Sequence, residues 1–360
     1  MHRTPALTPS RRSLLLGAAT LAPLVALGGA SAHAVGDLKD AGGLHILKTT
    51  DLPEMRSVDV TVDTGGVVQT FNPNIRVTLP PSYATSGDRR YPMLLLLHGQ
   101  GGDYTNWTEK GGVVEQTAKH DVIVVMPDGG SGSFYSNANF PLPGRKAGWE
   151  SFIMTQVLPF IHANFRTDPQ RMAIAGLSMG GWGALALGQR YWGHFRSVSS
   201  YSGPADCNPA TPDGAAVRAA IYFSPVFEFA KRPTSNLPGS TWGPLPYPRI
   251  ARGYNPMENL ERYRGKRVFL RTGDGAWNDF LEDLEKNPDI AKQLEKKFGT
   301  LVADTIEAAV HPNMTRFHEA LDAKGIANDF KLLPGRTHDF GLWSENLAED
   351  LPGMLKVLNA

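Results

Sequence analysis

One serine in this chain stands in a setting suited to nucleophilic chemistry. Gly176-Leu177-Ser178-Met179-Gly180 follows the apolar run Met172–Ala175 and precedes the helix-forming stretch Trp182–Leu187. Glycine on both flanks lets the backbone turn sharply, so the serine is expected strained at a strand tip with its Oγ exposed. The pentapeptide alone is a weak signal in a chain with 38 glycines. Its strand–turn–helix context gives it force. A serine hydroxyl is a poor nucleophile at neutral pH and needs a base within reach, itself held by an acid. In the chain order serine, acid, histidine, only His194, His311, His318 and His338 come after Ser178. His194 lies too close to the serine's own helix, and His311 and His318 share one helical pattern. His338 follows the apolar stretch Phe330–Leu333 through Pro334-Gly335-Arg336-Thr337, where the loop after a last strand delivers a base. The acid is expected after Val268–Arg271, where Asp274 and Asp279 compete on equal terms. Asp274-Gly275 also reads as a turn pair, and Asp279 also reads as a helix N-cap.

Acyl transfer through a tetrahedral oxyanion needs two backbone donors. The N–H of Met179, directly after the serine, is one. The other is expected from His98-Gly99-Gln100-Gly101-Gly102, with the Gln100 N–H preferred over those of Gly99 and Gly101. His98 itself reads as a structural loop histidine. This set of residues needs no cofactor and no metal. The one cysteine, Cys207, excludes a Cys-rich zinc site and an intrachain disulfide framework.

These groups have to be carried by a scaffold, and the sequence outlines one. Strands are expected at Val58–Val62, Ile75–Leu79, Met93–Leu97, Val122–Met126, Met172–Ala175, Ser197–Ser200, Val268–Arg271 and Phe330–Leu333. Several are continuous apolar runs, as strands buried on both faces are. Helical patterns fall at Glu150–Asn164, Gly180–Arg190, Asp279–Phe298, Leu301–Lys324 (with a possible break at Pro312) and Leu347–Val357. Alternation of the two predicts an α/β fold with a mostly parallel central sheet flanked by helices. Gly203–Leu260 breaks the rhythm: it holds ten of the 27 prolines together with Tyr222, Phe223, Phe227, Phe229, Trp242 and Tyr247. It reads as an insertion whose aromatics form its own small core, an acyl pocket, or both.

Composition narrows the function classes. Lys+Arg is 36 against 35 for Asp+Glu, a formal net charge of +1, which leaves no basic surplus for nucleic-acid phosphates. The only long apolar stretch is N-terminal, so a multi-span membrane protein is excluded. Residues 1–34 carry Arg3, Arg11 and Arg12 and no acid, then a weakly apolar run, then Ala32-His33-Ala34. That is the pattern of an export signal cleaved after Ala34. Ser10-Arg11-Arg12-Ser13-Leu14-Leu15-Leu16 is of the twin-arginine kind. Residues 35–360 are expected to form a single secreted or extracytoplasmic catalytic domain with the insertion at about 203–260 and no stable membrane span.

The chain resembles the secreted mycolyltransferases of the antigen 85 type, within the esterase D group of α/β-hydrolases. The matching stretches are Met126-Pro127-Asp128-Gly129-Gly130 with Ser133-Phe134-Tyr135-Ser136, Trp149-Glu150-Ser151-Phe152, Gly176-Leu177-Ser178-Met179, Trp242-Gly243-Pro244, Asn278-Asp279, and Thr337-His338 with Trp343. They run in family order over about Ile75–Leu351. The resemblance implies an α/β-hydrolase fold and a serine enzyme acting on small-molecule or lipid esters. It favours Asp279, which follows an asparagine, over Asp274. Where the mycolyltransferases carry an aspartate that holds the sugar acceptor, this chain has His98; after the catalytic histidine it has Asp339-Phe340 in place of Ser-Trp. The leading expectation is therefore an exported serine carboxylic-ester hydrolase or acyltransferase working through Ser178, Asp279 and His338. Transfer to a sugar or lipid alcohol is the alternative within that chemistry. A non-catalytic surface-binding protein on a hydrolase scaffold is the alternative outside it.

Overall fold

A computed structural model of the chain describes residues 36–244, 247–275 and 290–360. Its centre, among the described residues, is a nine-stranded sheet in the order β1-β2-β3-β5-β4-β6-β7-β8-β9. The strands are β1 His45–Leu52, β2 Ser57–Asp63, β3 Asn74–Thr78, β4 Tyr91–Leu97, β5 Ile123–Pro127, β6 Thr167–Leu177, β7 Ser197–Tyr201, β8 Arg267–Gly273 and β9 Asp329–Leu333. Pairing is antiparallel from β1 through β3 to β5 and parallel across the rest. Each of the eight expected strands forms, and β1 is an addition to them.

Burial explains the runs. In β4, Met93, Leu95 and Leu97 enter the core on one face of the sheet, while Leu94 and Leu96 enter the core on the other. A strand with no solvent face has no position for polar alternation.

The α-helices of seven or more described residues are α1 Leu158–Asn164, α2 Met179–Arg190, α3 Pro212–Phe223, α4 Pro225–Lys231, α5 Ile290–Ala323 and α6 Phe340–Leu358. α1 continues a helical stretch that starts at Trp149 and has π geometry over Phe152–Val157. Phe160 of α1, Trp182 of α2 and Phe317 of α5 belong to one core. Leu342, Leu347 and Met354 of α6 belong to the other, with Trp107 and Val113. α5 passes through Pro312 without a break, because Met314, Phe317 and Leu321 beyond it are fully buried. Part of the expected helix Asp279–Phe298 lies outside the described residues. No helix among the described residues is long and apolar enough to cross a membrane.

Segment 203–260 departs from the βα alternation as expected, but it is more helical than its prolines suggest. Pro212 and Pro225 each sit at a helix start, where the missing N–H costs nothing. Trp242 packs 6.1 Å from Trp182 and 5.4 Å from Tyr254, and its Nε1 donates to Ser136 Oγ at 2.7 Å. These aromatics extend the sheet's core, whereas Phe223 and Phe227 stand exposed.

The parallel strands end level. Leu97 pairs with Gly176, Leu177 with Tyr201, and Gly273 with Leu333. The chain passes from β4 to β5 on one side and then to β6 on the other. This reversal of strand order opens a crevice beyond the carboxyl ends of β4 and β6.

Candidate active site

Ser178 stands at the tip of β6 with φ +52° and ψ −120°, a conformation that costs a non-glycine residue about 1–3 kcal/mol. Its neighbours enforce the turn. A Cβ on Gly176 would lie 2.3 Å from the Gly180 carbonyl oxygen, and one on Gly180 would lie 2.5 Å from that of Leu97. The Ser178 N–H is spent on Tyr201 O at 2.8 Å. Met179 opens α2 at its first position, so its N–H has no intrahelical acceptor.

His338 arrives in the loop between β9 and α6. Its Nε2 lies 2.8 Å from Ser178 Oγ. Trp343 of α6 meets the imidazole edge-on at 4.9 Å and is itself fixed by Nε1 donating to Ser202 Oγ at 3.1 Å. Asp339, next to the histidine, caps α6 by accepting from the Leu342 N–H at 3.0 Å. Ser178 and His338, singled out in the sequence by motif context and chain order, are thus brought into hydrogen-bond contact.

The carboxylate on the other imidazole nitrogen is Glu307, 2.5 Å from Nδ1 and fully buried. It projects from α5, and its Oε1 accepts from Thr272 Oγ1 at 2.7 Å and from the Gly273 N–H at 2.5 Å. Two donors on one oxygen leave the second oxygen aimed at the imidazole. Asp274 serves the site differently: it accepts from the Gly335 N–H at 2.9 Å and so ties the end of β8 to the loop that carries His338. Asp279 lies outside the described residues. Glu307 was not among the acids expected from the sequence, because it reaches the end of β8 from a helix packed against the strand and not from the loop that follows it.

The loop after β4 passes beside Ser178, where a Cβ on Gly99 would lie 3.5 Å from Ser178 Cβ. Gln100 follows directly and is half-buried. The next residue is held at both its backbone groups: Gly101 N–H donates to Ser131 O at 2.8 Å, and Lys231 Nζ of α4 donates to Gly101 O at 2.6 Å. His98 is buried. Its Nε2 accepts from the Gly129 N–H at 3.0 Å, so Nδ1 carries the proton and donates to Gly99 O at 2.8 Å. Burial pushes this imidazole below its ordinary pKa, in keeping with a neutral ring. Both nitrogens are therefore used within the protein. Asp128, just before Gly129, accepts from the Asn74 N–H at 2.8 Å and the Tyr104 N–H at 3.3 Å. Its burial raises the carboxyl to about 6.

Comparison with known proteins agrees with this architecture. The family model described as "Putative esterase" matches residues 70–354. Esterase Rv1288 of Mycobacterium tuberculosis is 36% identical over 269 residues, covering 74% of this chain and 52% of that one. The chain thus spans about half the length of that relative. The diacylglycerol acyltransferase/mycolyltransferase Ag85C of Mycobacterium leprae is 26% identical over 267 residues, 71% of each chain. Among solved structures, the S-formylglutathione hydrolase of Agrobacterium tumefaciens superposes with a TM-score of 0.61 at 17% identity, over 87% of this chain and 99% of that one. That likeness is one of fold. With its family match spanning most of its length, the chain belongs to the putative esterase family, as an α/β-hydrolase of the esterase D and antigen 85 type.

Proposed function

We propose that this chain is an exported serine carboxylic-ester hydrolase, with Ser178 as nucleophile, His338 as base and Glu307 as the acid. The observation that carries the reading is the unbroken chain from Ser178 Oγ through both imidazole nitrogens to a buried carboxylate. In this reading Ser178 Oγ attacks the ester carbonyl carbon as Nε2 of His338 takes its proton. The tetrahedral oxyanion is held by the N–H groups of Met179 and Gln100. His338 then protonates the departing alkoxide, leaving an acyl-serine. Water attacks that ester while His338 takes its proton and returns it to Ser178 Oγ. Glu307 keeps the Nδ1 proton in place and balances the imidazolium in both steps.

Water is favoured over an alcohol as acceptor because His98, at the position that holds the sugar in the resembling transferases, offers neither ring nitrogen to a ligand. Export rests on residues 1–34, and the catalytic unit is taken as residues 35–360. The deciding experiment incubates the protein with carboxylic esters of graded acyl length, with and without trehalose or glycerol, and identifies the products. Free acid as the main product with either alcohol present supports hydrolysis. Acylated trehalose or glycerol would make the chain a transferase. A fluorophosphonate probe should label Ser178 once, and labelling of any other serine would count against the assignment.

A further inference from the structure

The geometry points to the wall formed by residues 137–147 and 222–243 as a docking surface for anionic lipid. Ten large apolar side chains are exposed among the described residues, and five of them lie on this wall: Phe140, Phe223, Val226, Phe227 and Leu237. Three of them, Phe140, Leu237 and Phe223, are joined through Tyr222. Phe140 and Leu237 line one groove of about 330 Å³ together with Tyr222. The rings of Tyr222 and Phe223 meet at 5.0 Å. Phe227, four residues on, reaches the loop after β4, where a Cβ on Gly101 would lie 3.9 Å from its Cδ1. The apolar strip therefore ends beside the loop that flanks Ser178.

Charge on the wall is one-sided. The two segments carry Arg145, Lys146, Lys231 and Arg232 and a single acid, Glu228. Glu228 is buried, binds Arg232 and accepts from the Ser131 N–H at 2.5 Å. Arg145 donates to Ser235 O at 2.6 Å and Lys231 to Gly101 O at 2.6 Å, so neutral carbonyls anchor these cations. Asp103, in the loop after β4, faces Lys231 and offsets part of its charge, so the wall's surplus rests chiefly on Arg145 and Lys146. In a chain of net charge +1 this is a local excess, not a general one.

Exposed aromatic and aliphatic side chains mixed with lysine and arginine suit the headgroup boundary of an anionic bilayer, where each cation gains about 1 kcal/mol. A second copy of the chain fits poorly. A two-fold interface would set the same patch against itself and bring its cations together. The inference stands on the surface alone and does not depend on the triad.

The test uses the full chain. Cys207 is its only cysteine and is buried, so Phe223→Cys can be labelled selectively with an environment-sensitive fluorophore. Lys356→Cys serves as the control. It is exposed near the end of α6, where Asn359 meets Arg171 at the opposite end of the sheet. Vesicles of ether-linked phosphatidylcholine, alone or equimolar with ether-linked phosphatidylglycerol, offer no carboxylic ester to cleave. The label at 223 should shift to the blue with the anionic vesicles only, the label at 356 should not shift, and adding Lys146→Glu should weaken the response about tenfold. Equal shifts at both positions, equal shifts with neutral vesicles, an unchanged response in Lys146→Glu, or no shift would each overturn the inference. A shift in buffer that grows with protein concentration would overturn it in favour of self-association.

Discussion

The imidazole of His338 is served from two sides, and the two sides predict different losses. Ser178→Ala removes the proposed nucleophile and should lower kcat by about 10⁴-fold or more while the fold is kept, since losing one small hydroxyl at a half-buried strand tip leaves no sizeable cavity. Glu307→Gln keeps an acceptor for Thr272 and Gly273 but removes the charge facing Nδ1, so kcat should fall by about 10²–10⁴. Asp279→Asn and Asp274→Asn should each cost less than about tenfold, the latter because asparagine can still accept from Gly335 N–H. Steady-state kinetics on one soluble ester ranks all four. If Asp279→Asn proved the more severe change, the acid would lie there and Glu307 would be structural. Ser178 and His338 were legible in the sequence because each follows a recognisable strand within a few residues. Glu307 was not, because nothing in its neighbourhood separates it from the other acids of a long helix. Its burial, which only the fold reveals, is what singles it out.

At the scale of elements, the position of Glu307 depends on how α5 is held, and one asparagine does much of the holding. Asn313, fully buried six residues further on, accepts from the N–H groups of Ala205 and Asp206 at 2.7 and 2.8 Å and donates to Asp206 O at 2.9 Å. Arg316 adds an ion pair to Asp206 at 3.0 Å and another to Asp213 at 2.6 Å. Asn313→Ala should leave these backbone groups buried without partners and cost about 2–4 kcal/mol by denaturant unfolding. It should also lower kcat, because α5 would no longer present Glu307 squarely. Unaltered stability would mean that the clamp is dispensable. The same scale shows what sequence patterns miss. Strands buried on both faces announce themselves as apolar runs. β1 does not, because His45–Leu52 lies at the sheet's end, mostly exposed, with Lys48, Thr49, Thr50 and Asp51 in it. The helices α3 and α4 were hidden by prolines that read as breakers, although they occupy helix starts. Pro312 was a plausible stop that tertiary packing overrode.

For the whole molecule, two carboxyls set opposite pH trends. Asp128, raised to about 6 by burial, binds its proton more tightly when folded than unfolded. Its contribution to stability therefore falls as pH rises from about 4 to about 6 and is flat above. Asp128→Asn removes that slope, so wild type should gain on the variant by about 2–2.5 kcal/mol between pH 7 and pH 4. Unfolding free energies at the two pH values check this, and a constant gap would contradict it. Glu349 is lowered to about 2 by its hydrogen bond to Arg271, helped by Lys331. Its contribution is present above about 4.5 and is lost as pH falls towards 2, discounted because the side chain is partly solvated. The sheet itself carries a further consequence. An open sheet ends in two strands, here β1 and β9, each hydrogen-bonded to a neighbour on one side. Such rims are templates for pairing with another chain, and β1 is blunted by an irregularity in register between Ile46 and Lys48 and by the charges of Lys48 and Asp51. Lys48→Val with Asp51→Val would turn that rim into a flat, sticky ribbon. The double variant should scatter light on refolding at concentrations where the parent stays clear, which would make these two unremarkable surface charges the guardians of the protein's solubility.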